Sequence, residues 1–229
     1  MLKRLRIYLP FAKSAILRMM SYRINFFLYM FGEYISVIVL YYLWSAVYKS
    51  SPEAVINGFT FPDMVRYVFY TAITVLIASN EMEYEVATDV SEGTIAMQLI
   101  KPISYKLKLL FEDLGQVGFR TVTCALPIFV GFSIYDAMVN HRGLPRLIDG
   151  GLYVVSLVLS YGIQYFINFS FGLAAFFVTY IWGFAFVKGV IIRFFSGQLI
   201  PLNFFPAWAV AGMASLPFGS MVYTPPPIL

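Results

Sequence analysis

The sequence predicts an all-α, polytopic helical membrane protein of about five spans, and three observations predict it. Hydrophobic residues make up 60% and charged residues 12% of the 229 positions, whereas soluble domains carry roughly 25% charged residues. Apolar runs of roughly 20 residues, the length that a hydrocarbon core of about 30 Å demands of a helix, recur between polar loops. Aromatic residues form 19% of the chain, which fits the belts that membrane proteins place at both interfaces.

Residues 1–23 come first, with Lys3, Arg4, Arg6, Lys13, Arg18 and Arg23. Leu5, Leu9, Ala12, Ile16 and Met20 recur at spacings of three or four among these cations, the pattern of a helix lying in a membrane interface. Pro10 starts or kinks it. The basic charge continues to the first apolar run with no small-residue cleavage site after it, so the segment is expected to be retained rather than removed as a signal peptide. The first span is 24–47, and YKSSPEAVINGFTFPD is a turn-rich loop before the second, 64–80. A charged interruption fills 81–113, the third span is 114–135, and DAMVNHRGLPR is a second loop. Residues 147–178 and 184–200 are read as the fourth and fifth spans, with a turn near Thr179–Gly183. The whole, 1–229, reads as a single membrane domain.

Short loops rich in Lys and Arg stay on the cytoplasmic side. The N-terminal segment and the central interruption, with Lys101, Lys106 and Lys108, are the basic ones. The other loops hold only Lys49 and Arg66, or Arg142 and Arg146. The N-terminus and the central segment are therefore expected in the cytoplasm. After the fifth span, Gly197, Pro201, Pro206 and Pro217 cut an apolar stretch into pieces too short to cross, because each proline removes a helix hydrogen bond. Broken backbone at membrane depth survives where protein buries it or where it lines a cavity. Short re-entrant helices on the outer side, 201–229, are the expectation.

The central stretch VSEGTIAMQLIKPISY follows Glu81, Glu83, Glu85 and Asp89. Acids oppose the negative C-terminal end of one helix and suit the N-terminus of the next. A separate short helix over Ala87–Leu99 follows, stopping before Pro102 because the residue preceding proline leaves helical geometry. On it Val86, Val90 and Met97 share one face and Ile95 and Leu99 another, while Gly93 leaves a gap for a partner's backbone. Apolar groups on more than one face, just outside a membrane, call for a cytoplasmic subunit to cover them.

At Glu92, Gly93, Thr94, Ile95, Leu99 and Pro102, standing as EGTIAMQLIKP, the sequence resembles the type-2 ABC exporter permeases, whose segment between the second and third spans follows an E-x-x-x-G-T-hydrophobic-x-x-L-x-x-P type pattern. The likeness extends to the interfacial first helix, the span order and the Pro-rich stretch SGQLIPLNFFP. It implies that the stretch containing Val90 and these six residues is a coupling helix that docks on a separate ATPase subunit, and that two permease chains, identical or related, form a dimer. It implies no cofactor in this chain, with ATP and Mg on the partner, and a bacterial inner cell membrane as the location. The family has a sixth span where this sequence stops at YTPPPIL, so truncation or a helix supplied from elsewhere is expected, with the C-terminus outside.

Other chemistries lack their motifs. No G-x-x-x-x-G-K-[ST] stretch is present to cradle phosphates, and neither H-E-x-x-H nor a G-x-S-x-G elbow occurs. His141 is the sole histidine and reads as a solvated loop residue, and Cys124 as a small buried hydrophobe. The cations form no stripe interleaved with exposed aromatics, which argues against nucleic acid. Membrane lipid is the expected surrounding partner. Ionisable groups within spans are the usual functional suspects. Glu33 and Arg193 are candidates for the bundle or dimer interior, and Arg120 and Lys188 read as snorkelling to the interface. Gln164 and Asn168, one turn apart, read as interhelical hydrogen-bonding groups. The permease reading stands against two others: an intramembrane hydrolytic or lipid-modifying enzyme, which needs polar groups gathered at one depth, and a passive channel or assembly subunit.

Overall fold

The computed structural model describes residues 5–140, 146–178 and 180–214, together with Gly219 and Val222. Among them four helical stretches are long and apolar enough to cross a membrane: Arg23–Ser50, Phe61–Ser91, Tyr105–Val139 and Ile148–Phe176. The chain is an all-α membrane protein, and the only strands among the described residues are a two-residue pair, β1 Val55–Ile56 and β2 Phe59–Thr60.

Helix α1, Leu9–Ser21, starts on Pro10 and lies against α6, Tyr105–Arg120. The two backbones come so close that a Cβ on Gly115 would sit 2.9 Å from Ala12 Cα. Only glycine permits that approach. The Tyr8 and Phe111 rings stack at 5.6 Å, and the Tyr8 hydroxyl accepts from the Ser104 backbone N–H at 2.9 Å.

Helix α2, Arg23–Ser50, is a span of 28 residues, and the β1–β2 hairpin turns the chain into α3, Phe61–Ala78. Asn57 and Gly58 take the two positive φ values of that turn, 48° and 86°. Thr60 caps α3: its hydroxyl accepts from the Asp63 N–H while Asp63 Oδ2 accepts from the Thr60 N–H at 3.1 Å. A reciprocal capping box of this kind satisfies two orphan donors. Thr60→Ala is expected to cost about 1 kcal/mol, read as a small drop in the thermal midpoint of the detergent-solubilised protein.

The second span does not end at residue 80. After a break at Ser79–Glu81 the helix resumes as α4, Met82–Ser91, with Glu83 and Glu85 in its first turn. It packs against α8, Leu147–Leu173. Of the expected interruption 81–113, residues 82–91 thus prolong the second helix and 105–113 open the third. The expected single helix Ala87–Leu99 is two pieces, because Gly93 adopts φ 73°. This left-handed backbone ends α4 and starts a six-residue helix α5, Thr94–Leu99.

The third span is one continuous helical stretch of 35 residues, about 52 Å at 1.5 Å per residue. It comprises α6, a wide π-helical turn Thr121–Ala125, and α7, Leu126–Val139. Pro127 explains the wide turn, since its ring cannot accommodate the ordinary carbonyl four residues back. Cys124 is buried beside Phe26, Met30 and Leu76, as a small hydrophobe. At the hairpin end Phe132 stacks on Phe69 at 4.4 Å, and Arg66 pairs with Asp136 at 3.9 Å.

A short turn ends α8's stretch at Phe176 and the next helix starts at Trp182, inside the expected turn Thr179–Gly183, whose first residue, Thr179, lies outside the described residues. Helix α9, Trp182–Phe195, has 14 residues, about 21 Å, and ends before the expected limit of 200. Gly197 turns there at φ 80°, and its carbonyl accepts from the Tyr67 hydroxyl at 2.7 Å. Pro201 is buried and Pro206 exposed. A short turn, Leu202–Phe204, places Phe204 against Trp44 at 5.2 Å, and α10, Ala207–Ala214, follows. Pro217 and His141 lie outside the described residues.

Candidate functional site

Two features stand out above the packing: an apolar tip at the end holding α1, and a polar cavity within the bundle.

The tip is α5 and its flanks. Asp89, near the end of α4, braces it. Its Oδ1 accepts from the Thr94 hydroxyl at 2.7 Å and its Oδ2 from the Tyr105 hydroxyl at 2.8 Å, tying α4, α5 and α6 together. Val90 and Ile95 pack inward, against the buried cluster of Met82, Val86, Tyr105, Leu109 and Tyr165. Met97, Leu99 and Ile100 point outward, 63%, 64% and 74% exposed. This corrects the expected faces: Met97 does not share a face with Val86 and Val90, and Ile95 parts from Leu99. The kink at Gly93 resets the helical phase between Val86 and Val90 on α4 and Met97 on α5, whereas Ile95 and Leu99 share α5 and differ because Ile95 reaches the buried cluster and Leu99 lies beyond it. Space around Gly93 is open, yet its positive φ, rather than a partner's approach, is what calls for glycine. Glu92 and Pro102 are exposed on either side.

The cavity has a volume of about 810 Å³. Residues of α2 and α9, which make little contact with each other, form much of its lining. Glu33 from α2, Arg120 from α6, Gln164 and Asn168 from α8 and Arg193 from α9 all line it. Polar groups scattered through the sequence thus converge on one space. Tyr29 also lines it and lies within electrostatic range of Glu33, Glu81, Arg120 and Arg193.

Its wall is built around the break in the second span. Ser79, Asn80 and Glu81 leave backbone groups without helical partners, and neighbouring helices supply them. Arg120 Nη2 donates to Ser79 O at 2.9 Å. Asn168 Nδ2 donates to Asn80 O at 2.7 Å and to Asn80 Oδ1 at 2.9 Å. Lys188 Nζ donates to Asn168 Oδ1 and to Glu83 Oε1, both at 2.6 Å. The Lys188–Glu83 side chains are 7% and 6% exposed. Neither Lys188 nor Arg120, 9% exposed, reads as snorkelling here: Arg120 is held inside by the Ser79 carbonyl of the break, and Lys188 by Glu83 and Asn168 beside it. Asp113, also buried, accepts from the Tyr161 hydroxyl at 2.6 Å.

Sequence reasoning missed Glu83, Asn80 and Asp113 as site residues. A usable signal existed for the first: an acid directly after an apolar run, with a lysine deep in a later one, calls for pairing. Three atoms of the wall have no protein partner: Asn80 Nδ2, Glu83 Oε2 and Arg120 Nε.

A family model described as ABC-2 family transporter protein matches residues 4–229. No curated protein and no solved structure matches the chain.

Proposed function

Because the chain belongs to the ABC-2 family of transporter proteins, a family of membrane components that work with an ABC ATPase, we propose that it is the permease subunit of an exporter driven by ATP hydrolysed on a separate subunit. In this reading α1 and α5 face the cytoplasm of a bacterial cell, in its inner membrane. A second permease chain, identical or related, stands beside this one. ATP and Mg bind to the partner, and the substrate is hydrophobic or amphipathic.

The observation that carries the reading is the tip. Met97, Leu99 and Ile100 present apolar surface to solvent on a helix braced from behind by Asp89. Exposed apolar side chains gathered at the edge of a polar surface mark a protein contact. Closure of the ATPase subunits would press on α5, and the bonds of Asp89 would pass the push to α4 and α6. From α4 the load reaches the Lys188–Glu83 pair and the cavity wall. Glu33, Arg120, Gln164, Asn168 and Arg193 are the side chains placed to meet a substrate.

Met97→Asp and Ile100→Asp are expected to reduce ATPase retained on the affinity-purified permease at least tenfold while leaving membrane insertion intact. An interface anchor of this kind contributes about 2 kcal/mol or more. Retention equal to wild type in both variants would overturn the reading. Gly93→Arg and Ile95→Asp are poorer probes, because the first strains a left-handed turn and the second disturbs an inward-facing side chain.

A further inference from the structure

We propose that the cavity between α2 and α9 binds an amphipathic zwitterion: a molecule carrying one ammonium group and one phosphate or carboxylate on an apolar body. This rests on the permease reading and names the class of substrate.

Charge balance comes first. Glu33, Glu81, Glu83 and Asp113 line the cavity, opposed by Arg18, Arg120, Lys188 and Arg193. With four groups of each sign the wall has no net charge, which suits neither a polyanion nor a polycation. The charges are not all consumed internally. Lys188 is taken up by Glu83 and Asn168, and Asp113 by Tyr161. Among the described residues no ion pair is formed by Glu33, Glu81, Arg120 or Arg193. All four line the cavity together with Tyr29.

Unpartnered buried atoms point the same way. Asn80, Glu83 and Arg120 are each more than nine-tenths buried, and each offers an atom with no protein partner. Arg120 Nε and Asn80 Nδ2 are donors for an anionic oxygen, and Glu83 Oε2 is an acceptor for an ammonium proton. A buried polar atom left unpaired costs about 1–3 kcal/mol; each of these three is closed to water, so a ligand gains from them once the side chains turn toward it.

The rest of the wall mixes uncharged polar groups with an aliphatic part. Val39 and Leu40 of α2, Val75 of α3 and Val190 and Ile192 of α9 line it beyond the charged groups. A head of mixed charge and an aliphatic tail therefore each find a matching surface. The volume of about 810 Å³ lies within the range of about 300–1,000 Å³ that takes one drug-sized molecule.

The test uses the purified full chain in dodecyl maltoside micelles, with radiolabelled lauroyl-lysophosphatidylethanolamine as the probe in a scintillation-proximity assay. Competitors of equal chain length are N-dodecyl-β-alanine, dodecylamine and dodecyl phosphate. The expected result is saturable binding displaced at least tenfold better by a zwitterion than by either singly charged compound. Displacement by N-dodecyl-β-alanine as well as by the unlabelled lipid marks a general zwitterion site, and displacement by the lipid alone marks a phospholipid headgroup. Glu33→Gln and Arg193→Gln, neither of them fully buried, are each expected to weaken probe binding about tenfold, the loss of one charge-assisted hydrogen bond.

Equal displacement by dodecylamine, dodecyl phosphate and the zwitterions, or unchanged binding in both variants, would overturn the inference. Retained ATPase is measured on the same samples. A permease that keeps its ATPase but does not discriminate among head groups defeats this inference alone. One that discriminates but captures no ATPase at all defeats the permease reading instead.

Discussion

Lys188→Met is expected to lower the thermal midpoint of the detergent-solubilised chain by roughly 10 °C, the largest effect of any single charge removal in the bundle. The substitution keeps the side-chain length and removes the ammonium that sits 2.6 Å from both Glu83 Oε1 and Asn168 Oδ1. Glu83 would then be a buried carboxylate with both oxygens unpartnered, since Oε2 already has none. Removing one member of a buried ion pair costs about 3–5 kcal/mol, because the other charge is stranded. The double variant Glu83→Met, Lys188→Met strands no charge and is expected to regain most of the midpoint. A single variant as stable as wild type, or a double variant no better than the single, would show that the pair does not hold α4 to α8 and α9. Fluorescence-detected size exclusion after heating supplies the measurement.

Gly115→Val is the second large effect. A Cβ there would stand 2.9 Å from Ala12 Cα and from Ala12 C, and both are backbone atoms that no rotamer change can move. Helix α1 must lift from α6 or the variant must misfold. Overpacking of a tight contact costs about 1–3 kcal/mol; here it would also undo the Tyr8–Phe111 stack and the Tyr8–Ser104 hydrogen bond. The expected outcome is selective: protease cleaves near the N-terminus of the variant while α2 onward stays protected. Gly118→Val, three residues along with open space around it, is the control and is expected to behave as wild type. Equal cleavage in the two variants would count against a close α1–α6 approach.

The first and fourth long helices lie near the expected places because length and apolarity are properties of single segments. Arg23–Ser50 and Ile148–Phe176 differ from the expected 24–47 and 147–178 by only a few residues at each end. The interior of the second crossing was not legible. Its apolar run carries no proline or glycine at Ser79–Glu81, and the break there is stabilised by Arg120 and Asn168, whose proximity only the fold creates. Glu83 was overlooked rather than hidden: next to Glu81 and Glu85 it reads as solvated unless the lysine deep in a later apolar run, 105 positions away, is counted as its partner. The faces of the docking segment failed for a local reason. A spacing argument assumes one helical phase, and the left-handed Gly93 divides that phase in two. By contrast Glu33, Arg120, Gln164, Asn168 and Arg193 could be singled out individually, because a polar group within an apolar run is conspicuous. That they share a cavity could not be read.

The wide turn at Thr121–Ala125 bears on how such a chain tolerates change. It takes up one residue more than an ordinary α-turn, which swivels everything after it by about 100° relative to everything before. The half that carries Gly115 can therefore be aimed at Ala12 while the half that carries Phe132 is aimed at Phe69. Each half keeps its own azimuth. Deleting a single residue within 121–125 would remove that offset and turn one of those faces toward lipid.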